Sequence, residues 1–206
     1  LQAGNGARIA ATQRINSAGS LVQSQNPLDM AINGNGYFAV STPTGVAYTR
    51  AGNFMRNDKG QIVTASGNVL LGQSSISSGN ANAAGIVIPS KATTVAIGTD
   101  GTVSYNLADS TAPTQADQIA MINFVNPTGL ASAGGGLYYE TMSSGEAQIG
   151  VAGKEGFGSI TQYYTEQSNV NVAEELVSLI AAQRAYEITA KSVSASDQIL
   201  QKLGQL

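Results

Sequence analysis

The side chains equipped for acid–base or nucleophilic chemistry are few, and the two most versatile are missing: the chain has no His and no Cys. Without His it lacks the commonest general base and the commonest transition-metal ligand. Without Cys it has neither thiolate metal sites nor a disulfide framework. Ser with Lys, paired carboxylates and glycine-rich turns remain. A Ser-x-x-Lys pair needs a Ser three residues before the Lys, but Ile88 precedes Lys91 and Val151 precedes Lys154 at that spacing. Glu140, Glu146, Glu155 and Glu166 fall in or after a Gly-rich stretch where two carboxylates could act as acid and base, yet no spacing singles out a pair. Gly34-Asn35-Gly36 begins like a phosphate-cradling loop, but the third Gly is absent and no helix is expected after it. Asn57-Asp58-Lys59-Gly60 has the look of a calcium loop without the alternating ligands or the closing Glu. Asp100-Gly101, between alternating apolar residues, signals a hairpin with φ > 0 at both positions. Tyr48, Tyr138, Tyr139, Tyr163 and Tyr164 could line a groove, although half-buried sheet or interface tyrosines are the commoner form. No catalytic, cofactor-binding or metal-binding residue is assigned, and no cofactor is expected.

Composition sets what could position such groups. Of 206 residues, 42% are hydrophobic, enough for one core or for a domain with an extended arm. Only 11% are charged, less than half the share of about 25% usual in soluble domains. Gly, Ser, Thr, Asn and Gln replace them. Such a surface repels itself weakly and suits a subunit whose faces meet other subunits, or a secreted β-domain. The net charge is −3 and the ten basic residues are scattered from Arg8 to Lys202, so no stripe exists to neutralise nucleic-acid phosphates. No apolar run approaches the roughly 20 residues that span a bilayer, so no direct membrane insertion is expected. No charged start with an apolar core marks a secretory signal. The chain opens on Leu1 rather than Met, and further sequence upstream is expected.

Along the chain, residues 1–25 read as a polar connector with scattered Ile9, Ile15, Leu21 and Val22, packing on a β-domain. Residues 26–165 read as that β-rich domain, an antiparallel sheet forming a small barrel or sandwich. Short apolar runs alternate with turn signals: Tyr37-Phe38 and Val40, then Val46 and Tyr48, then Phe54 before the turn at 57–60. Residues 73–85 and 106–117 are polar enough to read as loops. Ile119 to Val125 make the most hydrophobic strand, ended by Asn126-Pro127. Residues 131–158 are Gly-rich and predict irregular structure with one or two strands.

The C-terminal segment, 166–206, is different. From Val172 to Leu203 there is no Gly or Pro, and Val172, Leu179, Tyr186, Val193 and Leu200 recur every seventh residue, flanked by Leu176, Ile180, Ala190 and Leu203. This is a helix with a coiled-coil stripe. Asn171 with Glu174 resembles a capping box. Glu174, Glu175 and Lys202 complement the dipole, and Glu187 and Lys191 can pair. A seven-residue repeat favours helix against helix, and the alternative is a helix folded back on its own β-domain.

These motifs, in order, resemble the flagellar rod and hook proteins. Asn26-Pro27-Leu28-Asp29-Met30-Ala31-Ile32 with Gly34, Gly36 and Phe38 is similar to the family's entry motif. Tyr48-Thr49-Arg50-Ala51-Gly52-Asn53-Phe54 is similar to its Tyr-Thr-Arg-x-Gly-x-Phe strand. Phe124, Asn126-Pro127 and Gly129-Leu130, then Thr141 with Ser144-Gly145, resemble the next signatures. Ser168-Asn169-Val170-Asn171 and Gln183-Arg184-Ala185-Tyr186-Glu187 resemble the C-terminal motif. The ending Leu200-Gln201-Lys202-Leu203 and the lack of a large inserted domain are most similar to the distal-rod branch, here as a fragment lacking the N-terminal helix. The resemblance implies a structural subunit and not an enzyme. Such a subunit is exported unfolded by the flagellar type III channel without a cleaved signal peptide. It polymerises helically in the periplasm into a hollow rod of the basal body, reaching the outer membrane, that transmits motor torque. The implied partners are copies of itself, hook and proximal rod proteins, and the P- and L-ring bushing. The alternatives are a proximal rod or hook subunit, and, in a different class, a surface binding module on a coiled-coil stalk.

Overall fold

The computed structural model describes residues 15–77, 85–108 and 112–203. The expectations for 1–14, 78–84, 109–111 and 204–206 lie outside the described residues. Two compact units divide the chain, one within Leu1–Gln167 and one within Ser168–Leu206.

The first unit is antiparallel β. It runs through β1 (Leu21–Gln23), β2 (Met30–Asn33), β3 (Tyr37–Thr42), β4 (Gly45–Thr49), β5 (Phe54–Arg56), β6 (Ile62–Thr64) and β7 (Val69–Leu70), then the short helix α1 (Gln73–Ser77). β8 (Ala92–Ile97), β9 (Thr102–Leu107) and β10 (Thr114–Gln118) make a three-stranded sheet with β9 central. β11 (Met121–Asn123), β12 (Ala131–Gly134), β13 (Leu137–Tyr139) and β14 (Gln148–Gly150) join the main sheet, and β15 (Ser159–Gln162) and β16 (Tyr164–Glu166) lead out. The nine-stranded main sheet follows the path β12-β13-β4-β3-β7-β6-β5, with β11 on β3 and β14 on β11. β15 pairs with β2, and β16 with β1.

β3 is the pivot, and its sequence says why. Successive strand side chains point to opposite faces. Phe38 and Val40 lie in one core cluster with Met30, Phe54, Ile62 and Met121. Tyr37 and Ala39 lie in a second with Tyr48, Leu71, Ile122 and Phe124. Both faces are covered, so the strand reads as a continuous apolar run rather than an alternation. Leu70-Leu71 and Met121-Ile122 likewise send neighbouring side chains into the two clusters.

The polar segments hold more order than their composition indicates. Within the expected loop at 73–85, Gln73–Ser77 is the helix α1. Ser74 Oγ bonds the Asp117 carboxylate, and Ile76 packs on the second cluster. Within the expected loop at 106–117, Thr114–Gln118 is β10, paired with β9. Backbone ladders need no apolar side chains, and a polar edge strand resists further pairing. Residues 131–158 hold three strands, not one or two. Val125 ends outside its strand and is 77% exposed. The Asp100-Gly101 hairpin is also of another kind: Gly101 has φ 83°, while Asp100 is not left-handed. Gly101 N donates to Gly98 O and Gly98 N to Thr102 O, both at 2.9 Å. This is a three-residue loop closed by a glycine bulge, not a two-residue turn.

The second unit is α2 (Val172–Leu203), 32 residues and about 48 Å long at 1.5 Å per residue. Asn171 Oδ1 accepts from Ala173 N at 3.1 Å, so Asn171 caps the helix through the residue before Glu174, its expected capping-box partner. Glu187 and Lys191 do not close to an ion pair. Exposed pairs gain little over hydration.

Candidate functional site

Two arms of the β unit are fastened at one joint built from the matched motif residues. In β1, Leu21, Val22 and Gln23 pair with Glu166, Thr165 and Tyr164 of β16. Asp29 is buried behind them and is held on both carboxylate oxygens: Ser24 Oγ donates to Oδ2 at 2.5 Å and Asn26 Nδ2 to Oδ1 at 2.8 Å. Asn26 Nδ2 also donates to Phe54 O, and its Oδ1 accepts from Leu28 N. Gln162 Nε2 donates to Pro27 O at 2.6 Å. The Asn26-Pro27-Leu28-Asp29 motif is therefore a knot of internal bonds, side chain to side chain at Asp29 and side chain to backbone at Asn26 and Pro27.

Arg50 and Glu166 complete the joint. Arg50 Nε donates to Glu166 Oε2 at 2.9 Å, with the two side chains 23% and 10% exposed. Arg50 Nη1 donates to Gly34 O and Gly36 O, each at 3.2 Å. The guanidinium carbon lies 6.0 Å from the centroid of the Tyr37 ring. Glu166 Oε1 accepts from Gly19 N. The Gly34-Asn35-Gly36 turn thus presents carbonyls to a cation, the reverse of the N–H array that an anion needs. Glu166, one of four carboxylates weighed for paired acid–base work, is an ion-pair partner across 116 residues. Gly52 stands where an added Cβ would lie 1.6 Å from Met30 O, so the Tyr48–Phe54 motif has a glycine where two backbones touch.

The tyrosines part company. Tyr48 and Tyr138 belong to the second cluster, where Phe124 meets Tyr48 at 4.9 Å and Tyr37 at 5.9 Å, both edge-on. Burial, with the Glu140 charge adding to it, pushes the Tyr48 hydroxyl up to about 12. Tyr139 Oη shares hydrogen bonds with Thr44 and Thr42, which hold its pKa below the ordinary value. Tyr163 is left-handed at φ 65° and 41% exposed, while Tyr164 is half-buried in β16. No single groove gathers them. Glu140 and Glu146 lie around one open pocket with Thr141, whose Oγ1 donates to Gly129 O at 2.6 Å. Among the described residues no group of three or more Asp or Glu is placed to hold a metal ion. No described helix is long and apolar enough to cross a membrane. Asn57 Oδ1 accepts from Lys59 N and Gln61 N, making 57–60 a turn.

On α2 the stripe residues Val172, Leu176, Leu179, Ile180, Tyr186 and Val193 are all exposed. Leu200 and Leu203 lie in the helix backbone, with side chains outside the described ones. Gln183, Arg184 and Glu187 of the matched motif are exposed too, and Asn169 and Val170 precede the cap. Three exposed residues fall outside the seven-residue line: Val177, Ile188 and Ile199. They recur every eleven residues, and at about 100° per residue they lie roughly 140–180° around the helix from Val172. Counting an eleven-residue period would have found them in the sequence.

Comparison with known proteins follows the motif order. Residues 31–105 match the family described as the flagellar hook protein FlgE/F/G D1 domain. Residues 161–206 match that described as the flagellar basal body rod FlgEFG protein C-terminal. The chain is 45% identical over 207 residues to the flagellar basal-body rod protein FlgG of Buchnera aphidicola subsp. Acyrthosiphon pisum, covering 100% of this chain and 75% of that protein. It is 41% identical to the protein of the same name from Caulobacter vibrioides, covering 100% and 74%. The flagellar hook protein FlgE of Escherichia coli is 43% identical over 111 residues, 53% of this chain and 27% of that one.

Proposed function

Since this chain belongs to the flagellar rod and hook family, we propose that it is a structural subunit of the distal rod, polymerising helically into a hollow shaft that carries torque. The observation that carries this reading is the likeness along the whole chain to basal-body rod proteins named FlgG, whereas the likeness to a hook protein stops at about half. The chain acts by packing. Its carboxylates at Asp29, Glu166 and Asp117 are spent on internal bonds, and α2 offers a row of exposed apolar side chains to a partner.

Assembly rests on α2. Each large apolar side chain left in water forfeits about 1.5–3 kcal/mol of burial, and nine on α2 are at least 47% exposed. The seven-residue stripe fits a partner helix, and the second row through Val177, Ile188 and Ile199 fits another neighbour on the far side. A helix apolar on two sides is one covered on two sides. Heterologous contacts of this kind extend into helical polymers. The joint at Arg50 and Glu166 then fixes the two arms to the outer β unit, so that load passing along the axis is shared with it. Copies of the chain are the main partner, with hook and proximal rod proteins at the ends and ring proteins around the shaft. The periplasm is the site of assembly, reached by flagellar export without a cleaved signal.

Sedimentation of the chain and of its Leu179→Asp and Ile188→Asp variants tests this. The wild type is expected to form large assemblies and each variant to remain small, with the near-ultraviolet tyrosine signal of the β unit unchanged. Large assemblies from both variants would remove α2 from the account.

A further inference from the structure

The β unit carries an apolar side chain on a firmly held turn and a pocket, part apolar and part polar, with charges opposite in sign to those beside the turn. That side chain, the knob, is Met142. It stands fully exposed at the tip of a turn in which Thr141 N donates to Ser144 Oγ at 2.9 Å and Thr141 Oγ1 to Gly129 O at 2.6 Å. The base is tied again by Asn126, whose Nδ2 donates to Ser143 O and whose N donates to Ser144 O. Ser144 is completely buried. With the turn held this firmly, docking has only the Met142 side chain left to order and not the backbone that carries it. Exposed Val125 lies beside the turn, in reach of Gly145, and exposed Glu140 and Glu146 flank it.

The pocket, of about 490 Å³, is lined by Pro27, Leu28, Ile88, Val95, Tyr163 and Arg56. Its Tyr163 is one of two non-glycine residues with left-handed backbone among the described residues. It is kept there by bonds from its N to Asp29 O at 2.8 Å and to its O from Ser24 N at 2.7 Å. Such a backbone costs energy and persists where the surroundings over-determine it, and here it places an aromatic wall at the pocket. The cations Arg56, in the lining, and Lys91, next to the lining residue Ala92, face the glutamates of the knob in sign.

We propose that Met142 of one copy seats in the Tyr163 pocket of the next copy, with Glu140 and Glu146 set against Arg56 and Lys91. The occupant is a second copy because both halves of the contact are on this chain and their charges are complementary. The two surfaces differ, so the contact is head-to-tail and does not close on itself, the geometry of a filament. This deepens the rod-subunit reading and rests on it.

The absence of native Cys makes the test clean. Chains carrying Met142→Cys and chains carrying Thr94→Cys, a residue of the pocket lining, are mixed, polymerised and oxidised. The expected result is a disulfide-linked dimer of one chain of each kind in the pelleted polymer, and none from either variant alone. Reversal of Glu140 and Glu146 to Lys is expected to raise the concentration needed for polymerisation about tenfold, with rescue by Arg56→Glu and Lys91→Glu in the other copy. Polymer without the mixed dimer, or Met142→Cys pairing with itself, overturns the contact and leaves the rod reading standing. No polymer from the wild type overturns both.

Discussion

Replacing Arg50 by Ala removes a guanidinium that touches two separate segments, Gly34–Tyr37 and Glu166. Its Nε–Oε2 bond to Glu166 is 2.9 Å and partly shielded, the two side chains being 23% and 10% exposed. Such a charge-assisted bond contributes about 1.5–3 kcal/mol, and longer bonds to neutral carbonyls contribute about 0.5–1.5 each. The two carbonyl bonds, to Gly34 and Gly36, are 3.2 Å and share one Nη1, so they count as roughly one. Glu166 left behind keeps only Gly19 N and such water as reaches it. The loss is expected at about 2–4 kcal/mol. At a urea slope near 2 kcal/mol/M, the midpoint of the β unit falls by roughly 1–2 M. With no Trp in the chain, tyrosine near-ultraviolet circular dichroism reports this unit. Arg50→Lys keeps the charge but not the fork, and is expected to lose about half as much. A midpoint for Arg50→Ala within about 0.25 M of wild type, some 0.5 kcal/mol at that slope, would refute the joint.

Gly52→Ala would set a Cβ 1.6 Å from Met30 O. It should cost more than about 3 kcal/mol in a urea melt, because the Met30 N to Gly52 O bond at 3.0 Å must open. Tyr48 holds its proton more tightly folded than unfolded, since its pKa is raised from 10.0 to about 12. Its contribution is full below pH 10 and is lost as pH rises toward 12, so Tyr48→Phe should flatten the stability profile in that window, read by urea midpoints at stepped pH. Asn171→Ala removes the bond to Ala173 N and should lower helix stability by about 1 kcal/mol, read as loss of far-ultraviolet ellipticity.

Where side chains decide the structure, the sequence was legible. The long helix followed from an unbroken run without Gly or Pro, and the β class from short apolar runs between turn residues. Tyr37 to Val40 declared a strand, and the structure buries both of its faces. Where backbone geometry decides, composition misled. Thr114–Gln118 pairs through its backbone while its side chains are polar except for Ala116, and a serine–aspartate bond and Ile76 help to hold Gln73–Ser77. Asp100-Gly101 declared its turn but not the turn type. The Arg50–Glu166 pair joins residues 116 apart, and no local pattern encodes that distance. Heptad counting found one row on α2 and missed the other because Val177, Ile188 and Ile199 follow a different period.

The central claim is that the chain is a repeated axial subunit, and quantitative mass spectrometry of purified hook–basal bodies from cells producing it tests that most directly. The account predicts many copies per basal body, with cross-links from α2 to other copies of the chain. A single copy per basal body, or none, would contradict it.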